Sequence, residues 1–448
     1  MTTTLTPRVR RSYALGSVAT GTFGTVPGLL LLPYLTDTLG VAALVAGVIV
    51  FAPKAWDVVL NPIAGRISDR STSPRGRRRP FLLRGGVALT VCFALLFAGP
   101  AEPTAVAATW VVIAFLGCAS AYAFFQVPYV AMPAELTDDY DERTRLMTWR
   151  VAVLALAILV AGATAPAVRD AVGGHDGYRV MGLYVAVLIL VGTIGAYAGT
   201  RNAPSIDTTA GAEGLRTQLA VVARVPEFRR LLMTFVLQAL ATGAMLAAVD
   251  YVARYLLGSR GESSILFACF VAPALLVSAA WSRFADRYGK RRGYVAASGL
   301  LAIGALGLVA SLSGPAAVVY AATAIAGIGY AGAQVFPMAM LPDVAAVDAA
   351  RTGQNRIGVF TGVWTAGETL GLALGPGLYA LVLAIGGYES STEGSAEQPH
   401  SAEIAIAAGF SVVPAALVLF SLLALRRYRL DAAAVRAATS PTPQGGAQ

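Results

Sequence analysis

Twelve stretches of about 20 mostly apolar residues follow one another along this chain, each long enough to cross a bilayer as a helix. Their approximate limits are 12–36, 41–66, 81–99, 105–134, 148–168, 179–200, 229–257, 262–285, 294–313, 315–342, 357–386 and 403–426. A backbone in lipid must satisfy its own hydrogen bonds, which leaves helices or closed barrels, and runs of this length select helices. Glycine and proline recur inside the stretches, as membrane helices tolerate. Only 13% of the 448 residues are charged, against 56% hydrophobic. Soluble domains carry about 25% charged residues. A soluble enzyme, a disordered chain and a nucleic-acid module are thereby excluded.

The net charge of +9 is mostly a topology signal. With both termini placed in the cytoplasm, 29 of the 34 Lys and Arg fall in cytoplasmic segments. The others are Lys54, Arg169, Arg179, Arg254 and Arg260. The positive-inside rule thus predicts a multi-pass protein of the cytoplasmic (inner) membrane with both ends inside. Arginines beside the spans also meet anionic membrane lipid, so no nucleic-acid partner is needed to explain them. The N-terminus is polar up to the first apolar run near Tyr13, with no small-residue cleavage site, so no cleaved signal peptide is expected.

The twelve stretches divide into two sets of six. Gly65-Arg66-Ile67-Ser68-Asp69-Arg70 leads into Gly76-Arg77-Arg78-Arg79, and Arg283-Phe284-Ala285-Asp286-Arg287 leads into Gly289-Lys290-Arg291-Arg292. Asp69 and Asp286 are 217 residues apart. Gln126-Val127-Pro128, Pro133 and Asp141-Glu142-Arg143-Thr144 are echoed by Gln334-Val335-Phe336-Pro337, Pro342, and Asp348 with Arg351 and Thr352, at an offset of 208–209. The fold class expected is all-α integral membrane, with 12 transmembrane helices in two six-helix pseudo-symmetric bundles. The bundles are placed at 1–200 and 229–426, joined by a cytoplasmic linker at 201–228 and followed by a tail at 427–448. Such repeats belong to alternating-access carriers with a site near the midplane.

These spans, the repeat and the Gly-x-x-x-Asp-Arg loop resemble the major facilitator superfamily. A sharper match runs from Lys54-Ala55-Trp56-Asp57 through Asn61-Pro62-Ile63-Ala64-Gly65 and Gly76-Arg77-Arg78-Arg79-Pro80-Phe81. It continues through Val127-Pro128-Tyr129 to the segment from Pro133-Ala134-Glu135 to Arg143-Thr144-Arg145. This resembles the glycoside–pentoside–hexuronide:cation symporters, the melibiose-permease group. The resemblance implies the major facilitator fold, sugar uptake coupled to Na+ or H+, and a monomer. It places a cation site on the second span. Asp57 matches the first of two helical carboxylates there, and the second falls at Asn61. Two acidic sugar-binding positions fall near Gly21 and at Gln126, the basic residue that opens span five at Arg150, and a lysine of span eleven near Thr369, beside Glu368.

A charge placed mid-membrane costs about 2.5–3.5 kcal/mol on insertion scales, so ionisable residues within spans are functional candidates. Lys54 and Asp57 share a helix face. Asp57 lies about 16 residues into its span, roughly 24 Å from its start. The pair is either a packing ion pair or a cation or proton site, with Asn61 and groups of another span completing an oxygen shell. Asp250 and Arg254, four apart, are either an outer gate strut or substrate contacts. Glu368 stands alone in span eleven and is expected to bind a proton or a hydroxylated or cationic ligand. Gln126 and Gln334 occupy matching repeat positions and would hydrogen-bond either sugar hydroxyls or each other through water; Tyr122 would stack on a ligand ring or serve packing, and Arg150 would contact substrate or anchor the topology. Asp69, Arg70, Arg143 and Arg145 are expected to latch and release the cytoplasmic side, echoed by Asp286 and Arg287.

Cys92, Cys118 and Cys269 lie in apolar runs without metal-ligand spacing, and only His175 and His400 exist, so neither a metal site nor a cofactor is expected. No phosphate-binding Gly-x-x-x-x-Gly-Lys-Ser/Thr occurs. The function expected is secondary active transport, with no enzymatic activity: cation-coupled symport of a sugar or glycoside, with an exporter or carrier of a non-sugar amphiphile, drug or metabolite on the same scaffold as the alternative.

Overall fold

Lipid offers the backbone no hydrogen bonds, and every one of the twelve apolar stretches is helical in the computed structural model. It describes residues 5–71, 73, 76–137, 139–203, 224–259, 261–353, 356–392, 397–430 and 432–439. Most of the expected linker and the end of the tail lie outside these. The first six spans are α1 (Pro7–Asp37), α2 (Ala43–Asp69), α3 (Arg79–Leu96), α4 (Thr104–Ala131), α5 (Tyr140–Val172) and α6 (Gly174–Thr200). The second six are α7 (Pro226–Leu256), α8 (Glu262–Tyr288), α9 (Lys290–Leu312), α10 (Ala316–Thr352), α11 (Ile357–Ile385) and α12 (His400–Arg426). α7 ends in a π-helical turn at Val252–Leu256, and α12 is interrupted at Ser411.

Several helices outrun their apolar stretch. α5 begins at Tyr140, ahead of the expected 148, and α10 continues to Thr352, ten residues past the expected 342. Outside lipid a helix needs no apolar side chains, only a reason to stop. For α10 that reason is Gly353, whose φ of +70° gives a left-handed end. The start of α1 is fixed by Thr6, whose hydroxyl accepts from the Val9 amide, and by Pro7 in the first turn.

The packing is a duplication. α1 lies on α5 and α6, α2 on α4, and α3 on α4 and α6. Each contact recurs six helices on: α7 lies on α11 and α12, α8 on α10, and α9 on α10 and α12. Lipid gives no hydrophobic drive for helices to associate, so small residues that allow close backbone approach take over. A Cβ on Gly243 would come 2.7 Å from the Leu372 carbonyl, and one on Gly329 would collide with the Leu301 amide. Large apolar side chains such as Ile113, Leu276 and Ile385 are left exposed, as a lipid-facing belt requires.

The bundles meet where α2 packs on α11, α5 on α8, and α1 on α7. At the α2–α11 seam a Cβ on Gly47 would sit 2.6 Å from the Ala380 Cβ. Twelve helices in alternation put the start of α1 and the end of α12 on one face, the termini face; the opposite one is the far face.

Candidate functional site

The far face is closed by charge pairs that cross between bundles. Asp37 ends α1 almost fully buried, and its Oδ2 lies 2.8 Å from Arg254 Nη1 and accepts from Tyr255 at 3.1 Å. Its Oδ1 accepts from Thr36 at 2.7 Å and from the Tyr388 hydroxyl. Arg169, at the end of α5, reaches Asp250 of α7 at 2.7 Å, and Asp250 also accepts from Ser263 at 2.8 Å. The sequence left Asp250 and Arg254 two readings, a rim salt bridge or outer gate strut, and substrate contacts. The π turn that begins at Val252 displaces Arg254 from the α-helical register, and each residue instead pairs with the other bundle. Thr36 and Tyr251 hydroxyls lie 2.7 Å apart, and Ser391 N–H donates to the Thr36 carbonyl at 3.0 Å. Burial of Tyr388 beside Asp37 holds its hydroxyl well above the usual phenol range, so it stays a donor.

At mid-membrane the first bundle gathers the expected cation-site residues. Asp57 is buried and its Oδ1 has no hydrogen-bond partner. One turn on, Asn61 Oδ1 is likewise unpartnered. Of the two readings of Lys54 and Asp57, the packing ion pair is not formed. Lys54 Nζ sits 4.7 Å from the centre of the Phe23 ring and 6.0 Å from that of Phe115, a cation–π arrangement that leaves the carboxylate free. Tyr122 of α4 packs on Phe23 at 4.5 Å, and Gln126 stands one turn further, half-buried. Arg150 of α5 lies over the Tyr129 ring at 5.6 Å, and its Nε has no partner. Tyr129 itself is tied to α1: its hydroxyl lies 3.0 Å from that of Ser17 and donates to the Tyr13 carbonyl at 2.9 Å.

The second bundle answers with a narrow cleft lined by Gln238, Thr242, Tyr330, Gln334 and Glu368, with free space of about one water molecule. Gln334 Nε2 donates to the Tyr330 hydroxyl at 3.1 Å. Glu368, half-buried in the middle of α11, has no ion pair or hydrogen bond among the described residues. Gln126 and Gln334 therefore line different bundles. Among the described residues no three His, Cys, Asp or Glu side chains cluster as a metal site would need.

On the termini face the expected latch residues have other partners in this structure. Asp69 does not meet Arg143 or Arg145; it pairs with Arg78 at 2.8 Å. Arg78 is buried and also donates from Nε to Glu135 at 2.7 Å. Arg143 donates to the Thr137 carbonyl at 3.0 Å, Arg145 pairs with Glu142 at 3.1 Å, and Arg70 is exposed. In the second bundle Asp286 is exposed and Arg287 lies over Tyr288 at 5.4 Å. There Lys290 takes the bridging place, pairing with Asp343 at 2.6 Å. Glu135 and Asp343 are 208 residues apart, the offset of the repeat, so this acid was findable from the sequence. Asp37 and Arg169 left a fainter trace, as charges at span ends on the side depleted of arginine.

Residues 12–432 match the model of the family described as MFS/sugar transport protein. The chain belongs to this family. It is a membrane transporter of the major facilitator superfamily. It is 25% identical to the "Putative glycoside/cation symporter YagG" of Escherichia coli (strain K12), over 97% of this chain and 94% of that protein. It is also 25% identical to sodium-dependent lysophosphatidylcholine symporter 1 of Gallus gallus, over 94% of this chain and 86% of that one. The fold matches that of a bacterial homologue of the human lysosomal transporter Spinster, solved inward-facing and unoccupied, with a TM-score of 0.64 at 14% identity and coverage of 96% and 95%.

Proposed function

We propose that the chain is a cation-coupled symporter of the bacterial cytoplasmic membrane that carries a sugar or glycoside by alternating access. The observation that carries this reading is Asp57, a buried mid-membrane carboxylate whose Oδ1 is unpartnered while the nearest lysine rests on aromatic rings. A charge in this setting needs a ligand. Asp57 and Asn61, one turn apart, offer oxygens to Na+ or a single proton site.

The distribution of arginine supports a cytoplasmic termini face. The far face is then extracellular, and its ion pairs describe a carrier closed outside. Tyr122, Gln126 and Arg150 on one wall, with Gln334 and Glu368 on the other, supply the mixed donors and acceptors a polyhydroxylated ligand needs. Asp69, Arg78 and Glu135, with Lys290 and Asp343, brace the cytoplasmic loops as the bundles rock. The carrier works as a monomer, its loop arginines resting on anionic lipid.

A relative named for sodium-dependent lysophosphatidylcholine symport, together with Gly21 and Gln126 where the resemblance places acids, supports a non-sugar amphiphile as the second reading. The test is melting temperature of the detergent-purified protein against a panel of mono- and disaccharides and lysophosphatidylcholine, in sodium and in choline buffers. A sugar that raises it only in sodium establishes sodium–sugar symport. Silence with every sugar and a rise with the lysolipid moves the substrate to the second reading.

A further inference from the structure

The cleft of the second bundle combines apolar walls from Phe235, Ala239, Ala333 and Leu372 with polar groups, among them acceptors left without a donor. Gln238, in the middle of α7, is buried, and its amide orientation is set by its neighbours. Its Nε2 donates to Ser298 Oγ at 2.9 Å and to Ser421 Oγ at 3.1 Å. Both serine hydroxyls already give their own hydrogen away, Ser298 to the Tyr294 carbonyl at 2.8 Å and Ser421 to that of Val418 at 2.6 Å. They can therefore only accept, and the NH2 group must face them. The Gln238 Oε1 is left with no partner, although it is buried. A buried acceptor without a donor is costly unless something occupies the site.

Thr242 and Glu368 point the same way, whereas Tyr330 and Gln334 keep hydrogens to donate. Thr242 gives its hydroxyl hydrogen to the Gln238 carbonyl at 2.8 Å, so only its lone pairs remain. Glu368 brings one carboxylate with no cation beside it. One negative charge, neutral oxygens and room for about one water molecule suit a small monovalent cation, since divalent ions draw more carboxylates.

We infer that Glu368, Gln238 and Thr242 form a second cation site, in the second bundle, that takes a small monovalent cation: a free alkali ion or the ammonium group of a substrate. It is separate from Asp57 and does not rest on the role proposed for that residue. The full-length protein is purified in detergent, and its melting temperature is titrated with NaCl, LiCl, KCl and methylammonium chloride against choline chloride at constant ionic strength. The Asp57→Asn variant keeps a saturable rise with at least one of these salts. Adding Glu368→Gln raises the half-saturating concentration more than about tenfold, and adding Thr242→Val raises it less. A rise with alkali salts identifies a free ion, whereas a rise confined to methylammonium identifies a substrate ammonium group. In the parent background, Glu368→Gln removes one of two saturable phases. The inference is overturned if Asp57→Asn alone abolishes every response, or if Glu368→Gln leaves the titration unchanged in both backgrounds. Loss of transport in Asp57→Asn with cation binding retained would leave both proposals standing.

Discussion

Arg254 of the second bundle and Asp37 of the first lie 2.8 Å apart, and Arg169 and Asp250 repeat the pairing at 2.7 Å with donor and acceptor exchanged between bundles. Each bundle thus contributes one acid and one arginine to the closed far face. Removing one partner of such a pair strands the other as a buried charge.

The first prediction concerns that reciprocity. Arg254→Met costs the closed state about 3–5 kcal/mol by stranding Asp37. About 5.5 kcal/mol inverts a 99:1 equilibrium, so the far face should open substantially. With the native cysteines replaced, a cysteine at Ala380, buried in the seam, should react faster with a membrane-impermeant maleimide in Arg254→Met than in the parent. The exchange variant Asp37→Arg/Arg254→Asp should slow labelling again. Equal rates in all three would remove the pair from gating.

Gly47→Val tests the same closure by volume instead of charge. A Cβ there meets Ala380 Cβ at 2.6 Å, so α2 and α11 cannot close with a side chain between them. Uptake should fall at least about tenfold, as the closed state is destabilised by upwards of 1.4 kcal/mol. Substrate binding from the far face should survive, as read by equilibrium binding to right-side-out vesicles.

Asp57→Asn should abolish uptake driven by a sodium or proton gradient in proteoliposomes, with expression and folding intact. Downhill exchange of substrate should persist at a reduced rate. Full gradient-driven uptake by the variant would take Asp57 out of the coupling step.

Arg78→Ala should destabilise the purified protein by about 3 kcal/mol, because Glu135 loses its only ion pair among the described residues in a buried setting. Arg145→Ala should cost less, since the Arg145 side chain is 62% exposed and the buried Glu142 keeps Arg10 at 3.7 Å. Denaturant melts of the two variants decide this.

The helices and their duplication were legible in the sequence because lipid imposes one rule on every residue of a span, and apolar length alone reports it. That Asp57, Asn61, Gln126 and Arg150 stand on spans of the first bundle was legible too, since charge and amide groups inside spans are rare enough to stand out. Partner choice was not. Lys54 prefers two phenyl rings to Asp57, and Asp250 prefers an arginine more than 80 positions away. Spacing of three or four on a helix says which residues share a face, whereas which one they touch depends on the neighbouring helix. The π turn after Tyr251 shows how five residues of altered winding can redirect an arginine that the sequence places beside Asp250.

The Lys54 ammonium rests on Phe23 and Phe115, in the same span as Asp57. The empty carrier sets Lys54 against Asp57 and moves little net charge there as it turns. A monovalent ion on Asp57 adds one elementary charge, worth about 2.3 kcal/mol for each 100 mV of membrane potential. If Asp57 takes the coupling ion, a cell interior held negative would therefore drive the loaded carrier inward, making uptake a measurable electric current.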